Sequence, residues 1–135
     1  MKTCIAFICV ATLVVSIRGL KASAHLECQA DPKTRVNEIS IKRFNDGEDI
    51  DKSAIGVYAL CLSTKLNYIN EEGKINIPIV KKFFSYLFLN ETVVNQAIER
   101  CSNAQKDDPQ DTAMALAKCF RESYNDFHKG NNLNH

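Results

Sequence analysis

The sequence lacks an excess of charge of either sign. Its 17 Lys and Arg residues are balanced by 16 Asp and Glu residues in a chain of 135. Proteins that bind nucleic acid, or that hold a membrane surface through a polybasic patch, carry a clear basic excess. The balance therefore argues against a nucleic-acid partner and against polybasic membrane association.

Catalytic groups are also scarce. The chain has three histidines, His25, His128 and His135, and none is spaced from an acid or a cysteine as a metal or nucleophile site requires. A glycine-rich phosphate loop and a serine-nucleophile elbow are both missing. We interpret the histidines as solvated terminal residues, and we predict a protein that is not an enzyme and holds no metal or cofactor.

Strand patterns are nearly absent, whereas helix signals recur along the chain. The predicted helices begin at Asp31-Pro32, at Asp51 or Ser53, at Ile77-Pro78, at Asn90 and at Asp108-Pro109. Residues 68–76 predict a turn with Gly73 at its hinge and room for a short extended pair. No repeat or interdomain linker is visible, so the fold class is a single compact all-α domain of about six short helices.

Two predicted helices contribute most of the apolar surface. The segment from Ser53 to Leu66 reads as amphipathic, and its apolar face consists of Ala54, Val57, Tyr58, Cys61, Leu62 and Leu66. The segment IPIVKKFFSYLFL, residues 77–89, is apolar nearly all round. A helix of that composition is expected to be buried on most of its surface.

The first 24 residues predict a signal peptide. Lys2 supplies a short positive region, residues 4–17 are an uninterrupted apolar run, and Ala22-Ser23-Ala24 offers a cleavage site, with cleavage after Gly19 as the alternative. The run is short for a membrane span, so we predict a secreted protein without stable membrane insertion. Residues 25–127 would form the domain, and residues 128–135 a polar, frayed tail.

Four cysteines remain after that segment, namely Cys28, Cys61, Cys101 and Cys119. An even number in a small secreted domain predicts two disulfides, although four cysteines allow three pairings and spacing alone does not choose among them. The intervals contain 32, 39 and 17 residues.

This spacing resembles that of insect odorant-binding proteins of the pheromone-binding and general odorant-binding type. In that family six cysteines occur, with three residues between the second and third and eight between the fifth and sixth. Counting back from Cys61 and from Cys119 places the two missing cysteines at Val57 and Gln110. Absence of this bonded pair is the mark of the four-cysteine "Minus-C" subgroup, and the resemblance extends from Cys28 to Phe127.

The resemblance implies the pairing Cys28–Cys61 and Cys101–Cys119, and a helical shell around an apolar cavity. It further implies a carrier that binds small apolar organic ligands and transports them through aqueous extracellular fluid, such as sensillum lymph, to membrane chemoreceptors. We expect a monomer or weak dimer. The alternative is a secreted non-olfactory carrier or interaction protein of the same fold, from saliva, venom or the reproductive tract.

The candidate ligand-binding residues are apolar and aromatic side chains of the predicted helices, and a subset of them should line the cavity. Tyr58 and Tyr124 are the candidates for a polar contact with the ligand, although each could instead hold a backbone group. The full set is Val57, Tyr58, Leu62, Phe83, Phe84, Leu87, Phe88, Val94, Ile98, Met114, Phe120 and Tyr124.

Asn90-Glu91-Thr92 matches the N-glycosylation sequon of secreted proteins. The competing interpretation is a helix N-cap, because Asn90 precedes a run of apolar residues at helical spacing.

Overall fold

The computed structural model describes residues 21–133, with side chains described for residues 21–127. Six helices follow one another: α1 over residues 21–30, α2 Glu38–Asn45, α3 Lys52–Lys65, α4 Ile77–Leu87, α5 Glu91–Ser102 and α6 Pro109–Leu133. Between residues 21 and 133 the extended structure is limited to one isolated antiparallel bridge, Ile69 with Ile75. The predicted all-α fold is confirmed.

The signal peptide predicted over residues 1–24 lies outside the described residues, apart from residues 21–24, which are helical and part of α1. At the other end, the polar tail predicted from residue 128 is helical up to Leu133, because α6 continues through it. His135 lies outside the described part of the chain.

Helix α3 lies at the centre of the domain, between two separate cores. Ile55 and Tyr58 pack with Cys28 and Ile41 in a small core formed by α1, α2 and α3. Ala59 instead belongs to a larger core formed with α4, α5 and α6. The prediction that α3 buries a single apolar face is therefore wrong, because its buried residues include Ile55 and Ala59, outside that face, and belong to two cores.

The larger core contains most of the fully buried apolar side chains. Val80, Phe84, Ala97, Cys101 and Ala113 are all 0% exposed. Apolar area removed from water at about 25 cal/mol per Å² makes such a core the main stabilising element of a small domain. Half-buried aromatic side chains extend it, among them Phe83, Phe88, Phe120 and Phe127.

Two disulfides bind the helices together. Cys28–Cys61 joins α1 to α3 across the small core, and Cys101–Cys119 joins α5 to α6 within the larger core. This is the pairing that the family resemblance implies.

Helix α2 begins later than predicted. The proposed start at Asp31-Pro32 is wrong, and Asn37 is the N-cap, accepting a hydrogen bond from the Ile39 N–H at 2.8 Å. Residues 31–37 stay outside the helix because α1 holds them. Thr34 Oγ1 donates to the Cys28 carbonyl at 2.6 Å, and Gln29 forms two hydrogen bonds with the backbone of Val36.

Helix α4 begins at Ile77 as predicted, but it is not buried on most of its surface. Only Val80 and Phe84 are fully buried within it, while Tyr86 is 58% exposed. Leu89, just beyond its end, is fully exposed. The cause is that α4 packs against α5 on one side, whereas its other side borders an open cavity.

The turn between α3 and α4 agrees with its prediction. Gly73 adopts a positive φ of 82°, and the Asn76 N–H donates to the Tyr68 carbonyl at 2.8 Å. Gln105 fixes the turn to the loop between α5 and α6, because its Nε2 donates to the Gly73 carbonyl and its Oε1 accepts from the Ile75 N–H.

Polar contacts join the beginnings of α3 and α6. Lys52 Nζ lies 2.9 Å from Asp108 Oδ2 and 3.3 Å from Asp111 Oδ1. Gln110 covers Gly56 so closely that a Cβ added there would lie 2.5 Å from Gln110 Oε1. This junction is where the resemblance locates the missing disulfide, since Val57 follows Gly56 in the chain.

Candidate functional site

A cavity of about 1100 Å³ lies among helices α1, α2, α3 and α4. Small-molecule sites commonly enclose about 300–1000 Å³ and have mostly apolar walls. The apolar and aromatic lining consists of Ala22, Ile41, Tyr58, Leu62, Leu66, Tyr68, Ile79, Phe83, Tyr86 and Leu87. The cavity is therefore large enough, and apolar enough, for a small organic molecule.

Charged and polar side chains surround the mouth of the cavity. They are Lys21 and His25 from α1, Glu38, Lys42 and Asn45 from α2, Asp46 at its end, and Lys82 from α4. The three lysines and the two acids are exposed, so this side of the cavity is in contact with solvent. An amphipathic ligand could keep its polar end here while its hydrocarbon part is buried.

His25 is part of the cavity wall, and the prediction that it is a solvated terminal residue is wrong. Its Nδ1 lies 2.7 Å from the Tyr58 hydroxyl, and its Nε2 lies 3.3 Å from Glu38 Oε1. The His25 and Tyr58 rings meet edge to face, with centroids 5.6 Å apart. The sequence did not reveal this role because Tyr58 and Glu38 are distant from His25 in the chain.

Burial raises the pKa of two tyrosines in the wall. Removal from water, together with the nearby charge of Glu38, raises the pKa of Tyr58 to about 12. Burial also raises the pKa of Tyr68. Both phenols therefore stay protonated through the physiological range, so each oxygen carries its hydrogen.

Four of the twelve candidate ligand-binding residues line the cavity, namely Tyr58, Leu62, Phe83 and Leu87. They come from the middle of α3 and the second half of α4, which face each other across it. Phe83 is shared with the larger core, since its ring centroid lies 4.7 Å from that of Phe120.

The structure places the other eight candidates elsewhere. Phe84 and Val94 are fully buried in the larger core, and Phe88, Ile98, Met114 and Phe120 pack against it. Val57 is half-buried on α3, and Tyr124 is 44% exposed on α6. The aromatic residues of α4 and α6 pack against one another, as in the edge-to-face pair of Phe84 and Phe120 with centroids 5.3 Å apart.

Sequence reasoning missed the contribution of α2 to the wall. Ile41 is a buried α2 residue that lines the cavity, and Ile79 contributes from the first turns of α4. Both were recognisable as apolar helix positions, but nothing in the sequence distinguishes a cavity wall from a core.

Asn90 is exposed and forms the N-cap of α5, as one of its two interpretations predicts. Its side-chain oxygen accepts a hydrogen bond from the Thr92 N–H at 2.9 Å.

Across residues 21–133, no helix is both long enough and apolar enough to cross a bilayer. Within the same range, no group of three or more His, Cys, Asp or Glu residues is arranged to hold a metal ion.

Six helices, two interhelical disulfides and an apolar cavity define a small, disulfide-bonded helical domain with a binding site. The chain belongs to the PBP/GOBP family, whose family model matches residues 15–123. Members of this family are secreted binding proteins and not enzymes.

Two curated relatives come from the beetle Tenebrio molitor. B1 protein is 24% identical over 110 residues, which cover 82% of this chain and 84% of B1 protein. B2 protein is 25% identical over 93 residues, which cover 69% of this chain and 70% of B2 protein. No solved structure matches the chain significantly.

Proposed function

We propose that this protein is an extracellular carrier that encloses a small hydrophobic ligand, of the odorant or semiochemical class, and transports it through aqueous fluid. The observation that carries the proposal is the cavity of about 1100 Å³ with its largely apolar wall. Membership of a family of small-ligand binders supports it.

The expected affinity follows from the size of the ligand. Burial of apolar surface contributes about 25 cal/mol per Å². A volatile of about ten heavy atoms then reaches micromolar affinity without exceeding the usual limit per atom. Apolar walls discriminate weakly between similar shapes, so a series of related ligands should bind with similar affinity.

Displacement of a fluorescent apolar probe, N-phenyl-1-naphthylamine, tests the proposal on the mature protein with its disulfides intact. Leu62→Trp places a bulky ring in the cavity, whereas Leu89→Trp makes the same change at a fully exposed position outside it. We expect the first variant to weaken probe binding at least about tenfold and the second to bind as the parent does. Failure of the parent protein to bind the probe, or equal binding by both variants, would contradict the proposal.

We further propose that the chain belongs to the four-cysteine Minus-C subgroup. The contact of Gln110 with Gly56, next to Val57, supports this assignment, because it puts the two positions that lack cysteine near the same junction. The lost covalent link should make the beginnings of α3 and α6 easier to separate than the rest of α3. Native-state hydrogen exchange that is equally slow along the whole of α3 would argue against this.

Secretion, with removal of residues 1–24 or 1–19, is part of the proposal. Residues 21–22 line the cavity and Ala24 is only 5% exposed, so the two cleavage points would leave different cavity mouths. Mass spectrometry of the protein secreted by insect cells would identify the cleavage point and any glycan on Asn90. Retention of the full precursor inside the cells would contradict secretion.

Delivery to membrane chemoreceptors, in a fluid such as sensillum lymph, is the olfactory form of this proposal. Location of the transcript in antennae would support it, whereas location confined to glands or the reproductive tract would favour the non-olfactory carrier. The protein is expected to be a monomer or weak dimer, which size-exclusion chromatography at several concentrations would check.

A further inference from the structure

We propose that Tyr58 offers the ligand a hydrogen-bond acceptor and not a donor, so that the cavity selects ligands with a hydroxyl or N–H group over carbonyl ligands of the same shape. The inference rests on the proposed carrier function and adds a chemical class of ligand to it. Its basis is a series of polar contacts in which the backbone, at one end, fixes which atoms donate and which accept.

The chain of contacts begins at Gln29, whose amide has only one orientation. Its Oε1 accepts from the Val36 N–H at 3.0 Å, and its Nε2 donates to the Val36 carbonyl at 2.8 Å. Since a backbone N–H only donates and a carbonyl only accepts, the amide cannot be reversed. Gln29 Nε2 therefore also donates to Glu38 Oε1, at 3.0 Å.

Glu38 fixes the proton of the neighbouring imidazole. An ionised carboxylate only accepts, and Glu38 Oε1 lies 3.3 Å from His25 Nε2. A lone pair on Nε2 would face this negative charge, whereas an N–H there is attracted to it. The neutral imidazole accordingly carries its hydrogen on Nε2, which leaves Nδ1 as an acceptor.

Tyr58 is the last member of the chain. Its hydroxyl lies 2.7 Å from His25 Nδ1, and since Nδ1 can only accept, the O–H must donate to it. A phenol has a single hydrogen, so the remaining capacity of the Tyr58 oxygen is as an acceptor. Tyr58, His25 and Glu38 all line the cavity, so this acceptor belongs to the ligand site.

A ligand alcohol can satisfy that acceptor, and a ketone of the same carbon skeleton cannot. A ketone would leave both its own oxygen and that of Tyr58 without the hydrogen bonds they make in water. One net hydrogen bond changes the dissociation constant by about two- to tenfold.

The experiment compares 2-octanol with 2-octanone as displacers of N-phenyl-1-naphthylamine, at about pH 8. The parent protein, Tyr58→Phe, His25→Phe and the control Tyr124→Phe, at a position on α6 outside the cavity, are measured side by side. The alcohol-to-ketone affinity ratio of Tyr58→Phe gives the preference due to hydrophobicity alone. We expect the parent ratio to exceed it by about two- to tenfold, and Tyr124→Phe to keep the parent ratio.

The two phenylalanine substitutions should abolish the preference by different routes. Tyr58→Phe removes the acceptor and should weaken alcohol binding, with little effect on the ketone. His25→Phe frees the Tyr58 hydroxyl to donate, so it should strengthen ketone binding while alcohol binding is kept. A merely structural role for His25 would instead lower both affinities.

Three outcomes would overturn the inference: equal ratios in the parent and in Tyr58→Phe, a preference of the parent for the ketone, or loss of both ligands in His25→Phe. In each of these cases both ligands still displace the probe from the parent protein, and the carrier function stands. If neither ligand nor probe binds the parent, the proposed function fails together with the inference.

Discussion

The two disulfides should contribute nearly equally to stability but very differently to ligand binding. The chain-entropy model gives about 3.7 kcal/mol for Cys28–Cys61, whose cysteines are 33 residues apart, and about 3.2 kcal/mol for Cys101–Cys119, which are 18 apart. The difference of about 0.5 kcal/mol is small beside the total stability of about 5–15 kcal/mol of a domain. Stability alone therefore does not separate the two bridges.

Ligand affinity should separate them, because only one bridge supports the cavity. Cys28–Cys61 ties α1, which supplies His25, to α3, which supplies Tyr58 and Leu62. Cys101–Cys119 ties α5 to α6, and neither helix lines the cavity. We expect Cys28→Ala with Cys61→Ala to weaken probe binding at least about tenfold, and the other pair of substitutions to change it by less than about twofold.

Urea denaturation and probe titration on both double variants provide the measurement. Alanine is preferable to serine, because Cys28 and Cys101 are 0% exposed and a serine hydroxyl would be buried there. Probe titrations are made at a temperature where circular dichroism shows both variants folded. The reasoning would be refuted if loss of the α5–α6 bridge weakened binding as strongly as loss of the α1–α3 bridge, at similar losses of unfolding free energy.

Three further variants test other parts of the structure. Phe84→Ala removes a ring that is 0% exposed and should lower the unfolding free energy by about 3–5 kcal/mol in urea, and a loss under about 1 kcal/mol would contradict its place in the core. The pKa of Asp108 is lowered by its hydrogen bond to Lys52. The ionised carboxyl therefore stabilises the folded state above the ordinary pKa of 3.8, and this stabilisation is lost as the pH falls through the lowered pKa. Asp108→Asn should thus have a lower Tm than the parent at about pH 7, and the difference in Tm should shrink as the pH falls below 3.8, whereas a constant difference would be evidence against the pair. The double variant Val57→Cys with Gln110→Cys should form a third disulfide, which mass spectrometry detects, and its unfolding free energy should rise by up to about 4 kcal/mol. Val57→Cys alone is the control. Free thiols in the oxidised double variant would show that the two positions do not meet.

The fold class followed from signals that are local in the chain. Pro78 near the start of α4 and Pro109 at the start of α6 mark helix beginnings that the structure confirms. The turn with Gly73 was recognisable for the same reason, because a positive φ favours glycine. The disulfide pairing came from the family resemblance, since four cysteines alone leave three pairings open.

What the sequence did not show depends on contacts between distant segments. Helix α2 begins at Glu38 because Gln29 and Thr34 hold the intervening residues against α1. Helix α3 buries residues outside its predicted apolar face because it contributes to two cores. Phe83 and Phe120 were equally good candidates for the ligand site, but only Phe83 reaches the cavity. Composition does not determine which apolar side chains fill space and which surround it.

The separation of the cavity from the larger core bears on how the protein can change through evolution. No fully buried member of that core, such as Val80, Phe84 or Leu116, lines the cavity. Substitutions at wall positions such as Leu66 or Ile79 therefore alter the ligand site without opening voids where stability is concentrated. A lineage could acquire new ligand preferences by single replacements in the wall and stay above the stability that folding requires.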